Sequence, residues 1–276
     1  MASGSRICVQ CGRLNAREDA RCYQCGARLG AGWERRAHGW TSALDRRSWA
    51  TTLYVLLSVV VYGALSLGGM GATGAVQRLE VLRWGALAGS LGHTEPWRYL
   101  SAMFVHFGLL HFGFNTLALH QLGRSLEDAV GWARFTLVFV GTGIAGFLAS
   151  DLWYAPLPLT GGISGGIFGL LGAAVGWRYA QGDPEWKRLA ITGVGYAVAM
   201  VLLDRMTAMV VNHAAHIGGL AAGAVLGWAI YRLGRGPRID RALNLIGALS
   251  IAASFASIAL SLTSPLLRRI SPLLTQ

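Results

Sequence analysis

The chain has 276 residues, 53% of them apolar and only 13% charged, with a formal net charge of +11. A balance this apolar, with charges clustered so that long uncharged stretches remain, excludes an ordinary soluble domain and marks several transmembrane helices. The basic excess reads as membrane topology rather than nucleic-acid binding, because Lys and Arg fall largely in alternate connections between the apolar segments.

In chain order the cysteines come first. Cys8-Val9-Gln10-Cys11-Gly12 is followed by Cys22-Tyr23-Gln24-Cys25-Gly26, and no cysteine lies beyond these two knuckles. Four thiolates so arranged can surround zinc tetrahedrally, and the glycine after each knuckle lets the backbone turn toward the sulfurs. The spacer is shorter than is usual for such sites. The expectation is a zinc ribbon over 1–30, with Cys8, Cys11, Cys22 and Cys25 holding a structural ion. Four thiolates leave no open position for catalysis. Two disulfides are the alternative, disfavoured in a reducing cytoplasm. Such a ribbon can bind a protein partner or cap the N-terminus. Residues 31–48 read as a basic linker lying near anionic headgroups.

The first thirty residues lack the short apolar run of a cleavable signal, so the first span is expected to act as an uncleaved anchor. Seven apolar segments follow, at about 49–68, 101–123, 135–153, 162–179, 188–204, 212–232 and 243–264, each near the ~20 residues of a spanning helix. With a cytoplasmic N-terminus, the inner segments 1–48, 124–134, 178–188 and 232–241 hold 9, 2, 3 and 4 basic residues, 18 in all, against 6 outside. That bias predicts N-in and C-out. The connection 69–100 is long for a helical protein and carries an amphipathic stretch, Val76–Leu87. Long ordered connections are often functional; a floppy outer loop is the alternative.

Three constellations inside the spans carry chemistry. The fourth span opens Gly161-Gly162-Ile163-Ser164-Gly165-Gly166. It fits the string of a nucleophile elbow, but that elbow needs a preceding strand and an α/β sheet, which are not expected here. Alone, the segment reads as a glycine-rich helix contact. The sixth span contains Asn212-His213-Ala214-Ala215-His216 and then Gly218-Gly219-x-x-x-Gly223. Ionisable residues inside a span are functional candidates. Ser164 and His216 both sit near the outer ends of inward-running spans, at similar depth, as a serine and its base require. Gly219 and Gly223, four apart, permit close helix packing on one face. In the second span His111 and Asn115 share a helix face. Together with the Ser164 amide they can bind an oxyanion, or simply tie helices together.

These motifs, in this order and in separate spans, resemble rhomboid proteases over about 49–235, with the Trp97-Arg98 pair and Glu127 with Gly131 included in the match. The resemblance implies an all-α polytopic fold: a six-helix core over 49–235 and a seventh transmembrane helix with a short tail over 236–276. It implies an intramembrane serine endopeptidase, in the cell membrane, cleaving transmembrane protein substrates through a Ser164–His216 dyad without a catalytic aspartate or any cofactor for the reaction. It places His111, Asn115 and the Ser164 amide, beside Gly162, around the oxyanion. Phe168 stands where the family often has Tyr, stacked on the histidine. His213 falls where small or amide residues are common and is a competing base. A catalytically inactive, client-binding relative is the alternative. A haem protein using His106, His111 and His120 is a more remote one, and a zinc metalloprotease lacks its His-Glu-x-x-His motif.

Overall fold

A computed structural model describes residues 5–8, 13–16, 19–26, 48–69, 78–206 and 211–266. Cys11, most of the 31–48 linker and the C-terminal tail beyond 266 lie outside the described residues. At the N-terminus β1 (Ser5–Ile7) pairs antiparallel with β2 (Leu14–Ala16), Ser5 opposite Ala16. Beyond it the described chain is helical.

Helix α1 (Trp49–Gly69) begins against a carboxylate from elsewhere in the chain. Glu127 accepts from the Ala50 amide at 3.1 Å and from the Thr51 amide and hydroxyl at 2.8 and 2.7 Å. A negative charge satisfying the first unpaired amides of a helix stabilises that end. The long connection that follows is described from residue 78 onward, with short helices α2 (Arg78–Arg83), α3 (Leu91–Thr94) and α4 (Arg98–Ser101). Val81, Leu82, Ala86 and Leu87 are buried, so the amphipathic stretch faces the core and the floppy alternative does not hold for the described part.

The second apolar segment is not one helix, contrary to expectation. α4 runs into a 3-10 turn, Ala102–Phe104, and the chain leaves the helix from Val105 to Gly108, bending at Phe107 and Gly108, before α5 (Leu109–Ala118), a π turn (Leu119–Gly123) and α6 (Arg124–Val130). The limbs Arg98–Phe104 and Leu109–Val130 meet at 98°. At the break the backbone is answered from elsewhere in the protein: the Ala102 carbonyl accepts from the Gly162 amide at 2.8 Å. Gly131, at φ 89°, ends α6 and starts the next helix without a longer loop, a conformation open to glycine and strained for other residues.

Helices α7 (Trp132–Trp153), α8 (Ser164–Ala180), α9 (Glu185–Met206), α10 (His213–Leu233) and α11 (Pro237–Leu262) complete the bundle. Asp183 leads into α9; its carboxylate accepts from the Glu185 amide at 3.0 Å and from Arg178 at 2.5 Å, which together hold it below the usual carboxylate range. Five of the helices are long and apolar enough to cross a membrane, and the bent pair makes a sixth. This is a multi-pass membrane protein. α8 has 17 residues, about 26 Å at 1.5 Å per residue, so it is the short one. It is also the central one, packed by α7, α9 and α10.

The tightest packing is between α8 and α10. A methyl carbon built at Gly219, Gly223 or Gly227 would stand 2.1 Å from the carbonyl oxygen of Gly165, Gly169 or Ala173 in turn. Three successive turns therefore meet backbone to backbone, which only glycine allows. Gly219 and Gly223 were expected there from their spacing; Gly227 extends the same series. In the core Tyr54 stacks on Phe104 and meets Phe139 at a tilt, with ring centroids 6.0 and 4.9 Å away.

Candidate active site

Ser164 is the first residue of α8 and half-buried. The first backbone bond of the helix runs from the Ile167 amide to the Ile163 carbonyl at 3.0 Å. The amides of Ser164, Gly165 and Gly166 thus precede the helical ladder, where a helix concentrates positive partial charge. The chain enters this helix through Gly162 at φ 122°. That angle is strained for residues with a side chain. A Cβ there would also lie 2.9 Å from Cε1 and Nε2 of His111. Gly162 is therefore fixed by conformation and by space, and His111 lies against the approach to Ser164.

His216 sits one turn into α10 and is 5% exposed. Its Nε2 lies 2.8 Å from Ser164 Oγ. The Gly165–Gly219 contact, one residue beyond Ser164 and three beyond His216, brings the two helices together at this level. Phe168 stacks on the imidazole, centroids 4.4 Å apart and planes at 16°. Nδ1 of His216 is buried and has no hydrogen-bond partner among the described residues. The ring is held by stacking rather than by a third polar side chain.

Asn115 is buried, and its Nδ2 donates to the His111 carbonyl at 2.8 Å, one turn back on its own helix. One of its two N–H groups is so engaged; the other remains for a different acceptor. The His111 ring stacks parallel to Phe107 and meets His106 edge-on at 5.1 Å. His111 and Asn115 are thus close to the Gly162 approach, without a hydrogen bond to Ser164. His106 lies in the non-helical link, fully buried, with Nδ1 3.2 Å from the Phe104 carbonyl. His120 is exposed, so the three histidines of this segment do not converge.

His213 is engaged away from the serine. Its Nε2 lies 3.1 Å from Asp204 Oδ2 at the end of α9, and its ring is 6.5 Å from that of His216. Asn212 was passed over in the sequence, although an asparagine directly before a helix is a capping signal. Its Oδ1 accepts from the Ala215 amide at 3.0 Å and from Ser150 Oγ at 2.8 Å. Its Nδ2 donates to Thr160 Oγ1 at 2.8 Å. One side chain therefore joins α7, α10 and the strand-like segment that leads to Ser164.

In the N-terminal hairpin the Sγ atoms of Cys8, Cys22 and Cys25 all lie within 4.8 Å of one another, Cys8 and Cys25 at 3.6 Å. Cys11, the fourth expected ligand, falls outside the described residues.

Residues 93–233, half of the chain, match the family model described as the Rhomboid domain. Among curated proteins, the chain is 28% identical over 210 residues to a rhomboid protease, GluP, of Bacillus subtilis, covering 74% of this chain and 39% of that protein. It is 33% identical over 149 residues to rhomboid-type serine protease 2 of Emericella nidulans, covering 50% of this chain and 28% of that one. A third similarity, 30% over 165 residues, is to RHOMBOID-like protein 2 of Arabidopsis thaliana, covering 58% and 49%. The chain thus spans well under two thirds of the length of these relatives.

Proposed function

The chain belongs to the rhomboid family, and on that premise we propose that it is an intramembrane serine endopeptidase acting through Ser164 and His216. The observation that carries the reading is the 2.8 Å contact between Ser164 Oγ and His216 Nε2 at the first turns of two helices locked together by glycine. The site-bearing segments lie within the matched residues, and the similar proteins include some named as proteases.

In the proposed reaction His216 Nε2 takes the Ser164 proton as Oγ attacks the peptide carbonyl carbon. The carbonyl oxygen becomes an oxyanion. Its donors are the Ser164 amide at the start of α8, His111, and the second N–H of Asn115, with Gly162 leaving the space they need. The protonated His216 then gives its proton to the departing amide nitrogen and an ester to Ser164 remains. Water, losing a proton to His216, attacks the ester; His216 returns that proton to Ser164 Oγ as the acyl bond breaks, and the freed carboxylic acid ionises. Phe168 keeps the imidazole plane in register in place of an acidic partner. Substrates are transmembrane protein segments with helix-weakening residues near the outer face, because cleavage needs an extended backbone. A client-binding protein without chemistry is the less favoured reading, since it has no need of a hydroxyl held against an imidazole.

With the site near the outer aqueous phase, the orientation remains the one the basic residues support: cytoplasmic N-terminus, outer C-terminus, in the cell membrane. Helix α11 is the seventh span, outside the six-span core of about 49–235. The N-terminal hairpin is proposed to hold one structural zinc. Three sulfurs this close suit thiolates about 2.3 Å from a shared ion, and Cys11 is the fourth ligand by its Cys-x-x-Cys spacing from Cys8. The ion has no part in the reaction, and a protein partner for the ribbon remains part of the proposal.

The test uses purified protein in detergent with a reporter transmembrane substrate. Ser164→Ala and His216→Ala are each expected to lower the cleavage rate by roughly 10³-fold or more. Parental cleavage by either variant would remove the dyad assignment.

A further inference from the structure

The chemistry proposed above lies on α5, α8 and α10 and gives α11 no part. Yet Ser254, Ser257, Ser261 and, just past the end of α11, Ser264 are all buried. Membrane helices use such small hydroxyl residues at interfaces with other helices. Two of the four reach the long connection that precedes α5. Ser261 Oγ lies 3.1 Å from Ser101 Oγ, and Ser101 donates to the Gly85 carbonyl at 3.1 Å. Ser264 Oγ donates to Glu95 Oε1. The other oxygen of Glu95 takes Arg98 Nε at 2.5 Å, and Arg98 Nη1 donates to the carbonyls of Leu82 and Ala86 at 2.7 and 3.1 Å. Glu95, Arg98, Ser101, Ser261 and Ser264 are each at most 4% exposed.

A buried ion pair is secure only when its remaining polar atoms are also satisfied. Ser264 supplies that for Glu95, and Arg98 gives Nη1 to the backbone of the turn 82–87, while its Nη2 has no hydrogen-bond partner among the described residues. The turn leads straight to the site. Leu87 and Thr160 exchange both backbone hydrogen bonds, at 3.0 and 2.8 Å. Thr160 is four residues before Ser164, and its hydroxyl accepts from Asn212, the cap of the helix that carries His216. Hydrogen bonds and short stretches of chain between them thus join α11 to the segments that carry both halves of the proposed dyad.

We infer that α11 is a positioning element for the Ser164 site, acting through Ser264 on the buried Glu95–Arg98 pair and through Ser261 on Ser101, and so on the Leu87–Thr160 bridge. For its catalytic readout the inference rests on Ser164 being the nucleophile; its structural readout does not.

The test compares full-length protein in detergent with Ser264→Ala, the hydroxyl-preserving Ser264→Thr, and Ser250→Ala, a control whose hydroxyl bonds the Ile246 carbonyl of its own helix. Two quantities are measured: amide hydrogen exchange of peptides containing Leu87 and Thr160, and the rate at which a fluorophosphonate labels Ser164. Ser264→Ala is expected to speed exchange at both peptides and slow labelling about tenfold, the scale of losing one hydrogen bond to a charged group. Ser264→Thr and Ser250→Ala are expected to behave as the parent. Parental exchange in Ser264→Ala overturns the inference, as does a loss that Ser264→Thr fails to rescue. Should Ser264→Ala not fold, Ser261→Ala carries the same readouts, since the Ser101–Gly85 bond stays in place. If the parent itself is not labelled, the proposed function fails, and hydrogen exchange alone decides the role of α11.

Discussion

Gly219→Ala adds one carbon at the point where α10 meets α8. That carbon would stand 2.1 Å from the Gly165 carbonyl oxygen. An ordinary C···O approach is about 3.3 Å, so the helices must part by about 1 Å. Ser164 is the neighbour of Gly165 and His216 lies three residues before Gly219, so most of that displacement falls on the 2.8 Å Oγ–Nε2 contact. Opened to nearly 4 Å, the pair no longer forms a hydrogen bond, and a misplacement of this size lowers turnover by about 10²-fold. Gly227→Ala creates the same clash, with the Ala173 carbonyl, but eleven residues further along α10 than His216, roughly 16 Å away. It is expected to lower thermal stability as much as Gly219→Ala while reducing the cleavage rate only a few-fold. The assay is cleavage of a reporter transmembrane substrate, with thermal unfolding of each variant measured beside it. Equal activity losses in the two variants, or none in Gly219→Ala, would refute the claim that the glycine contact sets the distance between serine and histidine.

Other outcomes follow from the same geometry. Phe168→Leu removes the ring stacked on His216 at 4.4 Å; aromatic contacts are worth about 0.5–1.5 kcal/mol, so the cleavage rate should fall up to about tenfold, while Phe168→Tyr retains it. Asn212→Ala strips a helix cap and two side-chain hydrogen bonds, and calorimetry should show destabilisation of about 2 kcal/mol together with reduced cleavage. His213→Ala should leave cleavage within a few-fold of the parent, because that imidazole is paired with Asp204; abolition would make His213 the base. Elemental analysis should find about one zinc per chain, lost in Cys22→Ser, with cleavage in detergent unchanged.

Much of this arrangement is legible in the sequence, for definite physical reasons. Serine and histidine near the ends of apolar spans stand out because polar groups in lipid are rare, and their similar depth follows from counting residues along two parallel helices. The Gly219–Gly223 spacing shows a packing face, and Gly227 continues it by the same rule. Hydropathy is blind to a change of direction, so the apolar run through His106-Phe107-Gly108 reads as one helix although the chain is not helical there and turns through 98°. The Glu95–Arg98 pair is only three residues apart, but its link to Ser264 spans 169 residues of chain, which no local pattern encodes. Residue type alone does not separate His213 from His216; the contact of His216 with Ser164 and of His213 with Asp204 does. The Asn212 cap carried a local signal, but its bonds to Ser150 and Thr160 join segments more than fifty residues apart.

The most direct measurement of the central claim is fluorophosphonate labelling of the purified protein, with the modified residue located by mass spectrometry. The account predicts one adduct, on Ser164, absent in Ser164→Ala and formed far more slowly in His216→Ala. An adduct on another serine, or labelling of Ser164 at the parental rate without His216, would contradict it.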